Sequence, residues 1–278
     1  MSTKTAMSTN FADLSSDELF DKLKSGLKKV KVDGEMLYRV EGDLLLDEDE
    51  LTQYAADKTR SGSTNLSSRP DGLLGITQGG KIVRWSPGVV LTYCVIKSTF
   101  SSVAQYNLVR ELMRQATSDW ESTCGVKFQY KEDLDGSNPT PTPAGLVFIV
   151  REIDAQGMFI ASAFFPNGPT NRRRVLIDPS FYTLSPPPAG FSQVGVLRHE
   201  LGHVLGFRHE MIRSGAPITC PDESLLDTVD LTKYDPQSVM HYFCGGVGTR
   251  EMAITELDKT GAQKLYGNPL NMFRDIAT

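Results

Sequence analysis

The chain has 278 residues, with 29 Lys and Arg against 34 Asp and Glu, a formal charge of -5 and 40% hydrophobic residues. That length allows one large domain or a domain with an accessory segment, and the apolar content supports a proper core. The charge gives no electrostatic footing for nucleic acid as a partner, and no apolar run approaches the length needed for a transmembrane segment. Residues Met1 to Asn10 are polar and lack the apolar centre of a secretory signal.

Ser15 and Glu18 form a capping box, and Leu19, Phe20, Leu23, Leu27 and Val30 follow at helical spacing, which predicts an amphipathic helix over residues 14–30. Tyr38 to Leu46 reads as extended and contains Val40, Glu41, Gly42 and Asp43. A second helix is expected from Glu48 to Asp57, its first turn rich in acids that suit the helix dipole. Lys58 to Gly72 is rich in Ser, Thr, Asn and Gly, carries Arg60 and Arg69, and reads as an exposed, cuttable linker. One segment to dock, one to plug and one to cut are what a pro-segment requires, so residues 1–72 are expected to form one and residues 73–278 the domain it serves.

From Lys81 the pattern turns to strands and helices. Val89 to Val95 and Val126 to Tyr130 are strand candidates, and Val103 to Trp120 is an amphipathic helix through Leu108, Leu112, Met113 and Ala116. Leu146 to Val150, Ile160 to Phe165 and Arg174 to Ile177 follow as strands, and the triplet Arg172 to Arg174 reads as a solvated turn. Pro186, Pro187 and Pro188 close a loop before the next helix.

That helix carries the chemistry. Residues 199–213 read H-E-L-G-H-V-L-G-F-R-H-E-M-I-R, and three of the chain's four histidines lie in this stretch. His199 and His203, four apart, share one helix face and can chelate one ion, while Glu200 can hold and deprotonate a water at the metal. Gly206 ends the helix, because glycine enters a left-handed turn without steric cost, and the reversed chain returns His209 as a third ligand. Three nitrogen ligands leave a position open, the arrangement of a catalytic zinc. The fourth histidine, His241, follows Met240 in Ser238 to Tyr242.

H-E-x-x-H-x-x-G-F-x-H-E-x-x-R at His199 to Arg213, with S-x-M-H-Y at Ser238 to Tyr242, resembles the astacin family of metzincin zinc endopeptidases. The likeness implies an α+β fold: a metzincin-like catalytic domain with a twisted mixed sheet, the active-site helix above the cleft and an irregular lower subdomain, preceded by a partly helical pro-segment. Trp85 through Tyr93 resembles that family's mature N-terminal strand. The family would make Glu200 the general base and Tyr242 a residue that swings to the developing oxyanion. It would put Met240 beneath the zinc and have Glu210 receive the mature N-terminus. Val40 to Asp43 resembles the F-x-G-D motif of astacin pro-segments, which makes Asp43 a fourth zinc ligand in the latent form.

The reaction expected is hydrolysis of an internal peptide bond with one catalytic Zn²⁺ and no other cofactor. A protein or peptide substrate would lie along an edge strand near Ala161 to Phe165. The alternatives are a zinc-binding protein without turnover and a non-peptidase zinc amidohydrolase on the same scaffold. The chain is expected to be a monomer and to be secreted, with export by another route or action inside a cell as the alternatives. Cys94, Cys124, Cys220 and Cys244 allow three pairings; Cys220 with Cys244, which bracket the methionine turn, is preferred, leaving Cys94 with Cys124, and four reduced thiols are the alternative.

Overall fold

A computed structural model describes residues 14–40, 42–61, 73–213, 215–217, 219–220 and 228–270. The chain divides into two compact units, Met1–Val40 with Leu46–Arg69, and Glu41–Leu45 with Pro70–Thr278.

In the first unit, α1 (Ser16–Gly26) begins where expected: Ser15 Oγ accepts from Glu18 N, and the Glu18 carboxylate accepts from Ser15 N at 2.8 Å. It ends earlier than the apolar spacing predicts. Val30 lies in strand β1 (Lys29–Val32), which pairs antiparallel with β2 (Glu35–Val40) through a turn at Asp33 and Gly34. Asp-Gly between apolar runs is a strong hairpin signal, and it overrides the helical spacing. α2 (Glu48–Ser61) runs past the expected Asp57 and starts with its own reciprocal cap between Asp47 and Glu50. It packs on α1, with Leu19, Leu51 and Ala55 fully buried.

The short strand β3 (Leu44–Leu46) begins just after Asp43 and runs across the division between Leu45 and Leu46, so the expected extended run is broken by a turn; the remaining elements belong to the second unit. β4 (Leu74–Gln78) and β5 (Lys81–Ile82) form a hairpin, and β11 (Thr228–Asp230) pairs antiparallel with β4. The main sheet has the order β7-β6-β8-β10-β9, built from β6 (Val90–Val95), β7 (Lys127–Tyr130), β8 (Phe148–Glu152), β9 (Ala161–Ser162) and β10 (Arg174–Ile177). β6, β7, β8 and β10 run parallel and β9 antiparallel, which makes the sheet mixed. The expected strand over residues 160–165 shrinks to two residues at the sheet edge, because Asn167, Gly168 and Pro169 turn the chain away. No strand forms at Trp85 to Val89. The arginine triplet is not a solvated turn: Arg174 opens β10 and is buried, and the Arg173 guanidinium lies 5.0 Å from the Trp85 ring.

One face of this sheet carries the core. Leu91, Tyr93 and Val95 of β6, with Phe148 and Val150 of β8, pack against α3 (Val103–Thr123) and α4 (Gln193–Val204). Trp120 of α3 is wholly buried, donates its indole N–H to the Arg198 carbonyl at 2.9 Å, and stacks on Phe207 at 5.5 Å. α5 (Glu256–Tyr266) closes the unit. Among the described residues no helix is long and apolar enough to cross a membrane.

Cys220 and Cys244 form a disulfide with Cα atoms 5.1 Å apart. The pairing of Cys94 with Cys124 does not form; both are free and buried. Successive strand residues point to opposite faces, so Cys94 joins Ile96, Leu146 and Ile149 on one side of the sheet, while Cys124 caps α3 on the other. Burial pushes both thiols up to about 12.

Candidate metal centre

The site grows from the C-terminal end of α4. Ser192 caps the helix through Gly195 N. At the other end Gly206 has φ +92, with Gly206 N donating to the His203 carbonyl and Phe207 N to the Gly202 carbonyl. This paired closure reverses the chain. Two further carbonyls at the helix end are capped by side chains distant in sequence: Val204 O accepts from the Trp85 indole at 2.7 Å and Leu205 O from the Tyr266 hydroxyl at 2.6 Å.

The reversal brings His209 back to His199 and His203. A donor atom from each of these histidines and from Asp43 lies within 4.8 Å of the others, and all four residues are buried. The His203 and His209 Nε2 atoms are 3.1 Å apart; Asp43 Oδ2 is 3.3 Å from His199 Nε2 and 3.2 Å from His209 Nε2. The Tyr242 hydroxyl donates to Asp43 Oδ2. Gly42 makes this approach possible: it has φ +85, and a Cβ there would lie 2.8 Å from the Tyr242 hydroxyl. Phe165 meets His203 edge to face at 5.5 Å.

The donor set suits a divalent cation. His199 Nδ1 lies 2.8 Å from the Val239 carbonyl and His203 Nδ1 2.8 Å from the Phe207 carbonyl; a carbonyl only accepts, so both Nδ1 atoms carry the proton. In the neutral rings the Nε2 lone pairs then face one another and a carboxylate. Burial alone would raise the Asp43 carboxyl, but charge on His209 and His203 and hydrogen bonds from His199 and His203 outweigh it and hold Asp43 well below its usual range. His203, however, is pushed down to about 4 by the same burial, against the pull of Asp43. Protons alone cannot satisfy both, whereas a metal ion accepts all four lone pairs. Ligands at ~2.0–2.1 Å around a tetrahedral zinc would stand about 3.3 Å apart, close to the spacings here.

Glu200 is buried beside the cluster, and its Oε2 has no hydrogen-bond partner. Burial drives its carboxyl well above the ordinary range, with the Asp43 charge adding and His209 opposing. Met240 is wholly buried, and a Cβ on Gly202 would collide with its sulfur, which puts Met240 directly under the helix face that carries the histidines. Glu210 is not an exposed acid. It accepts from Asp235 N at 2.9 Å and faces Arg213 Nε at 3.2 Å, and burial pushes it up to about 8 against those two partners.

The sequence reading missed the support beneath Met240. Asp258 of α5 accepts from Ser238 Oγ at 2.5 Å, Val239 N at 2.8 Å and Thr255 N at 3.0 Å. Because Val239 O receives the His199 ring proton, the cap of α5 reaches the first histidine through a single residue, Val239. The capping sequence Thr255 to Asp258 was the available signal, but nothing in it tells which turn the same carboxylate also holds.

Residues 84–217, slightly under half of the chain, match the peptidase family model described as Matrixin. Among solved structures, the chain is similar to myroilysin, at 17% identity over 70% of this chain and 100% of that one, with a TM-score of 0.48. It is also similar to high choriolytic enzyme 1, a hatching enzyme zinc-protease from Oryzias latipes (medaka fish), at 17% identity over 70% of this chain and 99% of that one, with a TM-score of 0.45.

Proposed function

We propose that the chain is a metzincin zinc protease, an astacin-type zinc endopeptidase made as a latent zymogen, with residues 1–72 the pro-segment and 73–278 the catalytic domain. The observation that carries this is the convergence of His199, His203 and His209 with the Asp43 carboxylate, beside a buried Glu200 whose Oε2 has no hydrogen-bond partner.

His199, His203 and His209 would hold the metal, with Asp43 as a fourth ligand in the uncut chain. Zinc, when bound, supplies an electrophile that polarises a scissile carbonyl and acidifies water. The Val239 and Phe207 carbonyls fix the tautomers and ring directions of His199 and His203. Glu200 takes the proton of the attacking water at Oε2 and returns it to the leaving amine, so no covalent intermediate forms. Tyr242 gives its hydroxyl hydrogen bond to Asp43 in the latent chain; once Asp43 leaves, the same donor can turn to the developing oxyanion. An extended peptide would pair along β9, the edge strand of the main sheet, near residues 161–165. The Cys220–Cys244 disulfide favours an oxidising compartment and supports secretion.

The test is to purify the full chain, measure its zinc content, and follow hydrolysis of an unfolded protein before and after cleavage of the linker. One zinc per chain, with hydrolysis appearing only after the cut, is expected. A chain without stoichiometric zinc, or one inert toward every unfolded substrate after cleavage, defeats the reading.

A further inference from the structure

Between the second and third histidines the chain makes its bonds to a strand that comes from far away in sequence. On one edge of β4, Ile76 N donates to the Gly206 carbonyl at 2.8 Å and Arg208 N to the Leu74 carbonyl at 2.8 Å, with Gly75 opposite Phe207. On its other edge β4 pairs with β11, and beyond it Leu231 N donates to Leu73 O at 2.7 Å and Leu73 N to Thr232 Oγ1 at 2.6 Å. Leu73, Leu74 and Ile76 are buried. The approach is close: a Cβ on Gly206 would lie 2.7 Å from Val83 O and 3.6 Å from Ile76 Cγ2, and one on Gly261 of α5 would lie 2.8 Å from Leu73 Cβ.

The clamped segment has two duties at the metal centre. Phe207 O accepts the ring proton of His203, and Arg208 leads directly into His209. A shift of residues 206–208 therefore turns one histidine and displaces another.

We infer that β4 is the positioning element for His203 and His209, and that the activating cut consequently lies on the N-terminal side of Leu73. This rests on the proposed function, since it presupposes the metal at these histidines and activation by cleavage. It narrows the window for the cut, which the sequence places between about Arg60 and Ile76; residues 62–72 of that window lie outside the described residues. A cut inside β4 would remove acceptors and donors from Gly206 and Arg208, and would leave a charged amino terminus among buried leucines, which is costly without a partner. A cut before Leu73 leaves the ladder whole.

The experiment uses the full-length chain. Ile76→Pro removes the N–H that bonds Gly206 and keeps an apolar side chain, while Ile76→Val restores the N–H. Zinc affinity by chelator competition, and the visible absorption spectrum after cobalt substitution, are compared for the three proteins, with near-ultraviolet circular dichroism reporting the fold. Ile76→Pro is expected to bind zinc about 10- to 100-fold more weakly, the range for loss of an interaction that orients ligands, and to shift the cobalt bands; Ile76→Val matches the wild type. Independently, the amino terminus of the wild-type product that first gains activity is sequenced, and it is expected at or before Leu73. A folded Ile76→Pro with wild-type affinity and bands, or an active product beginning after Leu73, overturns the inference while the protease reading stands. If Ile76→Pro does not fold, the product's amino terminus decides alone. A wild-type chain without zinc removes both.

Discussion

Glu200 and Asp43 are two buried carboxylates with opposite assignments, and substitution separates them. Glu200→Ala deletes a proton acceptor and no ligand, so zinc content and unfolding midpoint are expected to match the wild type. Turnover after linker cleavage should fall by roughly 100- to 10,000-fold, the usual contribution of a general base. Loss of the metal in that variant would show the residue to be a ligand. Asp43→Ala acts in the other direction: it removes the carboxylate that three histidines and Tyr242 face. Losing a charge-assisted contact of ~1.5–3 kcal/mol should raise the activity of the uncut chain on the order of ten- to a hundredfold, read as hydrolysis or self-processing before any added protease. Equal activities for uncut wild type and Asp43→Ala would sink the latency assignment. The meeting of His199, His203 and His209 was legible in the sequence because four-residue spacing on a helix and a glycine reversal are local geometry. Tyr242 and Asp43 were reached through resemblance, since 199 positions separate the two residues that touch.

The turn at Ser238 to Met240 works as an element held from below by α5. Ser238→Ala leaves Asp258 Oδ1 without its donor in a buried place, and the cost is about 1–3 kcal/mol, measurable in denaturant unfolding. Because Val239 O orients His199, the same variant should also weaken zinc binding; an unchanged metal affinity would reduce Asp258 to a helix cap alone. Gly202→Ala tests the packing above the turn. Its methyl would collide with the Met240 sulfur, and overpacking of this kind costs ~1–3 kcal/mol unless the thioether moves aside. At this scale the sequence misled in places. α1 was read through to Val30 because the apolar spacing continued, but the spacing of β1 residues happens to extend it. The strand at residues 160–165 was overextended because apolar runs look alike whether they pair or merely pack.

For the molecule as a whole, the disulfide and the metal should act as separate staples. The Cys220–Cys244 bond closes a loop of 24 residues in sequence, and replacing both cysteines with serine is expected to lower stability by about 3 kcal/mol on the chain-entropy account. A chelator, by removing a ligand that binds only the folded state, should lower the thermal midpoint of both the disulfide-intact and the serine variant by a similar step. No thermal effect of chelation in either protein would contradict a metal at the buried histidines.

By itself the sequence determined the spacing of the three histidines, the order of most elements, the cap of α1 and the end of α4, and it made Cys220–Cys244 the preferred pair, because each depends on residues near one another along the chain. The tertiary structure decided which carboxylate meets the histidines, that Cys94 and Cys124 lie on opposite faces of one sheet, that Asp258 reaches His199 through a turn, and that β4 clamps the loop between two histidines. Those contacts join positions tens to hundreds of residues apart. Periodicity reports which way a side chain faces, not which distant backbone it will meet; that is settled only when the chain packs and buried polar groups must find partners.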